Sequence, residues 1–316
     1  MIVLNQRKWV SAGVCVMLML AGLALGRQTD RWYPSRWGAN DQRGAANRIT
    51  PAKVLEAKNL ITRGTVYPVG RTYETGMPMF GARHYSLRIL QASKITGTNQ
   101  PIFHEELVSG ELGQIGTQFD GLGHFGIGDL FYNGNNRADF AQPDGLTKLG
   151  IENVGPLFTR GVLIDVARYK GVAQLQPDYE ITAADLRGAL QRQNIQIRAG
   201  DVALIHTGWG ALWMKDNAKY GATSPGIGLQ AAQFLADAEV TVVGSDNWAV
   251  EVMPNPNASL GAPVHQLLLA RNGIYLHENL NTADLARDNV YEFAYIFVPL
   301  PLKGATGSPG SPIAVR

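Results

Sequence analysis

Between Gly161 and Val298, short apolar runs rich in β-branched residues alternate with segments of helical period, and few architectures satisfy that pattern. The runs Gly161–Ala167, Asp201–Thr207, Val240–Val243, Ile274–Leu276 and Phe293–Val298 read as core strands, because they lack the polar alternation of a half-solvated strand. Between them, Thr182-Ala-Ala-Asp185 has capping-box spacing ahead of Leu186 and Leu190, and Leu229, Ala232, Phe234 and Leu235 recur at helical spacing. Upstream, Thr50-Pro51 offers a capping hydroxyl and a first-turn proline before Val54, Leu55, Ala57 and Leu60. Val66–Val69 and Ser86–Leu90 read as further short strands, and the Pro- and Gly-rich tail beyond Val298 as coil. There is no long linker, internal repeat, Walker loop or dinucleotide fingerprint. The expectation is one α/β domain from about residue 35 to the end, with a mixed sheet or barrel-like β core and flanking helices.

The N-terminal segment 1–26 reads as a secretory signal peptide, with Arg7-Lys8 ahead of the apolar run Trp9–Gly26 and small residues at Ala24-Leu25-Gly26. A retained membrane anchor is the alternative, since the run reaches the lower limit for spanning a bilayer. Either way the body 27–316 is expected to be extracytoplasmic, periplasmic or secreted. The formal net charge of +2 falls away with Arg7 and Lys8, leaving 26 basic and 26 acidic residues, so a nucleic-acid role has no electrostatic support. Cys15 is the only cysteine and lies in this leader. The body therefore lacks disulfides and thiolate chemistry, and any metal must be held by His, Asp, Glu or amides.

The stretch Gln114-Ile-Gly-Thr-Gln-Phe-Asp-Gly-Leu-Gly-His124 concentrates such groups. If its first half is extended, Gln114, Gly116, Gln118 and Asp120 share one face, and Gly121 and Gly123 let the chain turn before presenting His124. Such a line could hold a metal ion; a Gly-rich hairpin satisfying its own backbone is the bland reading. Elsewhere, His84 and His104 read as surface or hydrogen-bonded histidines and not as ligands. Asp246 is either a ligand contact or a loop cap, and Trp209, flanked by glycines, is either pocket wall or core.

Gly116-Thr117, Asp120 and His124, with the distal His265 and Glu278, resemble the cyclase family that includes bacterial kynurenine formamidases and isatin hydrolases, whose motif is His-x-Gly-Thr-His-x-Asp-x-Pro-x-His. The chain has Gln114 and Gln118 where that motif has its first two histidines, and Leu122 where it has proline. The likeness extends through Gly161 to Trp209, Gly244–Asp246 and the stretch from His265 to Leu280. It implies the family's swivelling β/β/α type of fold and a homo-oligomer. It also implies a divalent metal held by Asp120, His265 and Glu278, with Gln114 and Gln118 at the remaining ligand positions, His277 as a rival ligand, and His124 as the catalytic acid/base. Amide and carboxylate oxygens favour harder ions, so the expectation is one ion, Mn or Zn, in place of a zinc pair.

The implied reaction is metal-dependent hydrolysis of a small amide, cyclic amide or lactone, with Trp37, Phe119, Trp209 and Trp248 as candidate pocket walls. The competing readings are a small-ligand-binding protein of the same fold without chemistry, and a membrane-anchored structural protein.

Overall fold

The computed structural model describes residues 31–91 and 95–316. The leader with its basic pair and Cys15 lies outside the described residues. Among the described residues no helix is long and apolar enough to cross a membrane.

Nine strands form the main sheet. In chain order the elements used below are helix α1 (Pro51–Lys58), strand β1 (Val66–Pro68), the ribbon strands β2 (Tyr85–Gln91) and β3 (His104–Gly110), then β4 (Gln118–Asp120) and β5 (Leu157–Asp165). They continue with helix α2 (Ala183–Gln193), strand β6 (Val202–His206), helix α3 (Leu229–Asp237), β7 (Val242–Ser245), the helical turn α4 (Pro263–His265), β8 (Tyr275–Glu278), β9 (Glu292–Phe297), β10 (Gly307–Pro309) and β11 (Ile313–Val315). The sheet order is β1-β11-β9-β5-β6-β7-β8-β4-β10. Its centre, β5-β6-β7-β8, is parallel, and both flanks are antiparallel. This is the mixed α/β arrangement expected, with the sheet curled into a half-barrel and helices against it.

The central strands form where the sequence is apolar without alternation: Val202 to Ile205, Val162 to Ile164, Val242 and Val243 are all fully buried. The crossover helices cover them with a single apolar stripe each. In α2, Thr182 and Asp185 close the capping box and Leu186, Ala189 and Leu190 are buried. In α3, Ala231, Ala232, Leu235 and Ala236 do the same. Asp165, at the end of β5, accepts from the Arg168 backbone N–H at 2.9 Å and so serves as a helix cap.

Three expectations are corrected. The tail after β9 is not coil, because it folds back as β10 onto β4 and as β11 between β9 and β1. Three-residue strands containing Gly and Pro carry no periodicity, and only their partners define them. Strand character begins at Gln118, not Gln114, because Gly116 adopts a left-handed φ of +60° where an added Cβ would lie 2.7 Å from the Tyr73 ring. Leu55 is 59% exposed and lies off the buried face of α1, which uses Lys53 and Ala57.

Candidate metal centre and cleft

Register between β4 and β8 determines which side chains meet. Glu278 pairs with Gln118, His277 with Phe119 and Leu276 with Asp120. Directly opposed residues share a face, so Gln118, Asp120 and Glu278 fall on one side and Phe119 and His277 on the other. Phe119 stacks on Tyr275 and meets the His277 ring edge-on at 5.3 Å, and its burial is worth about 2–3 kcal/mol. His277 Nδ1 bonds the Tyr295 hydroxyl at 2.6 Å. Burial pushes this imidazole down to about 3, so it is a neutral core residue. The register thus removes it as the rival ligand.

His265 arrives from elsewhere in the chain. The Pro-rich loop ends in α4, and the chain continues as a π-helical turn over Gln266–Arg271, a geometry frequent at functional sites. His265 Nε2 lies 3.4 Å from Glu278 Oε1 and 3.9 Å from Asp120 Oδ2. One donor atom from each of Asp120, His265 and Glu278 falls within 4.8 Å of the others, and all three residues are buried. Asp120 is 0% exposed, and its Oδ2 has no hydrogen-bond partner. A buried carboxylate oxygen left without a partner costs several kcal/mol unless a charge compensates it. One imidazole nitrogen and one oxygen from each of two carboxylates, gathered within 4.8 Å of one another, fit a divalent cation, whose bonds of about 2.0–2.2 Å would place ligand atoms roughly 3–4 Å apart.

Gln114 and Gln118 do reach the cluster, but their amide nitrogens face it. Gln118 Nε2 donates to Glu278 Oε2 at 2.8 Å, and Gln114 Nε2 approaches Asp120 Oδ1 at 3.4 Å. An NH2 group cannot ligate, so in this arrangement the two glutamines hold the carboxylates in place.

Glu251 was not legible beforehand. Fully buried, it accepts the backbone N–H groups of Val264 at 3.2 Å and His265 at 3.1 Å, and it makes a short hydrogen bond to His265 Nδ1. It therefore caps α4 and turns Nε2 of His265 towards Asp120 and Glu278, as a carboxylate behind a metal-binding histidine does. Val250 beside it sits at φ +59°, strained for a β-branched residue, and Asn247 Oδ1 accepts its N–H at 2.7 Å. The only clue available from sequence was chemical: a histidine ligand needs a partner on its other nitrogen. Glu251→Gln should keep the fold yet weaken divalent-cation affinity about 10–100-fold. Calorimetric titration checks this, and unchanged affinity would remove Glu251 from the site.

The charges follow from this packing. Burial lowers the pKa of His265, but its hydrogen bonds to Glu251 and Glu278 outweigh burial and raise it well above the ordinary histidine value. Burial, and then the charge of Asp120, raises Glu278. Burial lowers His124, so its imidazole is neutral at pH 7. His124 Nε2 lies 3.9 Å from Asp120 Oδ1 at the edge of the cluster.

His265 and Glu278 line a chamber of about 270 Å³, walled by His124, Phe125 and Trp248, which adjoins a second of about 280 Å³, and Asp120 lies buried behind them. Phe80, Arg83, Gln114, Gln118 and Trp248 line both. Phe80 and Trp248 stack at 5.0 Å. Of the four candidate wall aromatics only Trp248 lines these chambers; Phe119 is core, and Trp209 is fully buried with Nε1 donating to Tyr220 O at 3.0 Å. Trp37 instead lies under the Arg36 and Arg48 guanidinium groups. Asp246 proves to be a loop cap, accepting from Thr207 N at 2.9 Å and Thr207 Oγ1 at 2.6 Å. His84 and His104 are exposed on the ribbon and its root.

Residues 61–252 match the family model described as "Putative cyclase". The chain belongs to the cyclase family. A crystal structure described as a novel cyclase shares 34% identity, covering 89% of this chain and 98% of its own, with a TM-score of 0.78. Isatin hydrolase A from Ralstonia solanacearum shares the cyclase-family fold at 22% identity, with coverage of 84% and 98% and a TM-score of 0.62. A structure described as a predicted metal-dependent hydrolase from Bacillus stearothermophilus aligns at 19% identity, with coverage of 79% and 97% and a TM-score of 0.50. No curated protein sequence matches significantly.

Proposed function

We propose that this cyclase-family protein is an extracytoplasmic hydrolase that cleaves a small amide, cyclic amide or lactone, using one divalent cation, Mn or Zn, held by Asp120, His265 and Glu278. The observation that carries this reading is the orphaned, fully buried Asp120 Oδ2, facing His265 Nε2 and Glu278, which line the cleft in front of it. When bound, the cation supplies Lewis acidity, polarising a carbonyl and acidifying water.

The chain's own side chains supply the rest. His124, kept neutral by burial, takes a proton from water and returns it to the leaving nitrogen or oxygen. A pure binding protein has no evident need of a proton carrier beside Asp120. Glu251 holds the His265 ring, and the two glutamines hold the carboxylates. The Phe80–Trp248 stack gives a flat substrate a surface to lie against. Arg83 lies 5.6 Å over the Phe80 ring and lines both chambers, and no described residue forms an ion pair with it. That guanidinium favours a substrate with an anionic group. Isatin, the substrate named for one structural relative, is itself a flat cyclic amide, which supports the bond class.

A screen of aromatic formamides, cyclic imides and lactones, each with and without a carboxylate, tests the reading. Turnover should vanish with chelator, return with one particular ion, and favour the carboxylate-bearing members. Turnover indifferent to chelator would refute it.

A further inference from the structure

A separate cavity of about 540 Å³ opens beyond the carboxyl ends of the parallel strands β5, β6 and β7, the end of such a sheet at which ligands are generally held. Asp165 closes β5, His206 closes β6 and Asp246 directly follows β7, and all three line it. Both acids are already engaged. Asp165 accepts the Arg168 backbone N–H and pairs with that residue's guanidinium at 3.1 Å, while Asp246 accepts from Thr207 N, Thr207 Oγ1 and Gly210 N. Two cations in the lining are not so matched: Arg71 and Lys215 form no ion pair with any described residue. Arg71 donates through Nε to Asn279 O at 3.1 Å and through Nη2 to Gly210 O at 3.1 Å and Leu280 O at 3.0 Å, and it lies 4.9 Å over the Trp213 ring. Those contacts fix the guanidinium in one place and leave Nη1 without a described partner. Burial lowers the pKa of Arg71 against smaller opposing effects of Tyr220 and Asp246, so a closer counter-charge would be welcome. His206 points the same way. Its Nδ1 meets Thr282 Oγ1 at 2.7 Å and Asp246 Oδ2 at 3.4 Å, whereas Nε2 bonds to no described residue and is not a buried orphan, so it is the nitrogen open to the cavity.

We propose that this cavity is a second ligand site, which takes a small organic anion bearing a carboxylate or phosphate group. Arg71 Nη1, His206 Nε2 and Lys215 Nζ supply donors to the charged end, and Val172, Ala211 and Ala286 offer apolar surface to the body of the ligand. His206 Nε2 carries the proton to donate when the Thr282 hydroxyl donates to Nδ1, or when the ring is protonated beside Asp246. A guanidinium already fixed by three carbonyls loses little freedom on binding, which favours affinity. None of Arg71, His206 and Lys215 lines either chamber beside the cation centre, so the site stands independently of the hydrolytic reading.

Imidazole ¹⁵N–¹H spectra of the full chain, titrated with benzoate, with phenyl phosphate and with neutral benzamide, test this. The resonance missing from His206→Gln should shift saturably with at least one anion and stay put with benzamide, and the tighter anion names the charged group. Because Arg71 also holds three carbonyls, the exposed Lys215 is the position to vary. Lys215→Ala should weaken the anion about threefold and Lys215→Glu about tenfold, with the fold undisturbed. Asp120→Asn, which disables the cation centre, should leave the anion affinity unchanged, so either reading can fail without the other. No saturable shift with either anion, an equal response to benzamide, full affinity in Lys215→Glu, or affinity lost in Asp120→Asn would overturn the proposal.

Discussion

Asp120→Asn should abolish turnover and saturable cation uptake while leaving the fold intact. The side chain is fully buried on β4, and asparagine preserves its shape and one acceptor oxygen. What disappears is the charge that a cation at this site needs. Without uptake, the Lewis acidity that brings water from a pKa of about 15.7 towards neutrality is lost, so a fall of at least about a thousandfold is expected. A stability readout separates this from misfolding. In the metal-free protein the substitution removes a buried carboxylate whose Oδ2 is unpaired, so the apo variant should melt no lower than apo wild type. Added cation should raise the wild-type melting point, by the equivalent of about 2.7 kcal/mol at a hundredfold excess over Kd, and leave the variant unmoved. An active Asp120→Asn protein would remove the residue from the chemistry.

His124→Gln should produce the opposite separation, with cation uptake retained and kcat reduced by about 10²–10⁴. His124 is not among the three converging donors, and its imidazole borders the chamber. The sign of its pH dependence follows from burial, which lowers its pKa below the ordinary 6.5. The base-competent neutral form therefore predominates at neutral pH and is lost as pH falls through that lowered value. With the cation kept saturating at every pH, wild-type kcat should show an acid limb below pH 6.5, and the glutamine variant should lose it. Rates equal to wild type, or an acid limb that persists unchanged, would assign the proton transfer to another group.

The parts of the molecule legible in sequence are those where a single physical demand decides the residue. The parallel strands β5, β6 and β7 must be apolar on both faces, and their sequences are. Thr182 and Asp185 cap α2 as their spacing implies. The distal site residues were approached through resemblance, and the β4–β8 register then separated Glu278 from His277, adjacent positions that sequence left as rivals. What could not be read depends on partners remote in the chain. Glu251 meets His265 across a Pro-rich loop, and β10 and β11 exist only because β4, β9 and β1 offer edges to them. Trp209 looked equally suited to a pocket or a core until Tyr220 took its indole N–H. The extended reading of Gln114–Thr117 failed at Gly116, where the approach of Tyr73 requires a residue without a side chain.

The most direct test of a cation centre on Asp120, His265 and Glu278 is calorimetric titration of chelator-stripped protein with Mn²⁺ and Zn²⁺ across pH, in buffers of different ionisation enthalpy. Because the pKa values of His265 and Glu278 are both raised, the stripped site holds protons at neutral pH that a cation must displace. The predicted result is one ion per chain, proton release on binding, and affinity that climbs as pH rises. No saturable uptake, two tightly held ions per chain, or an affinity indifferent to pH would contradict it.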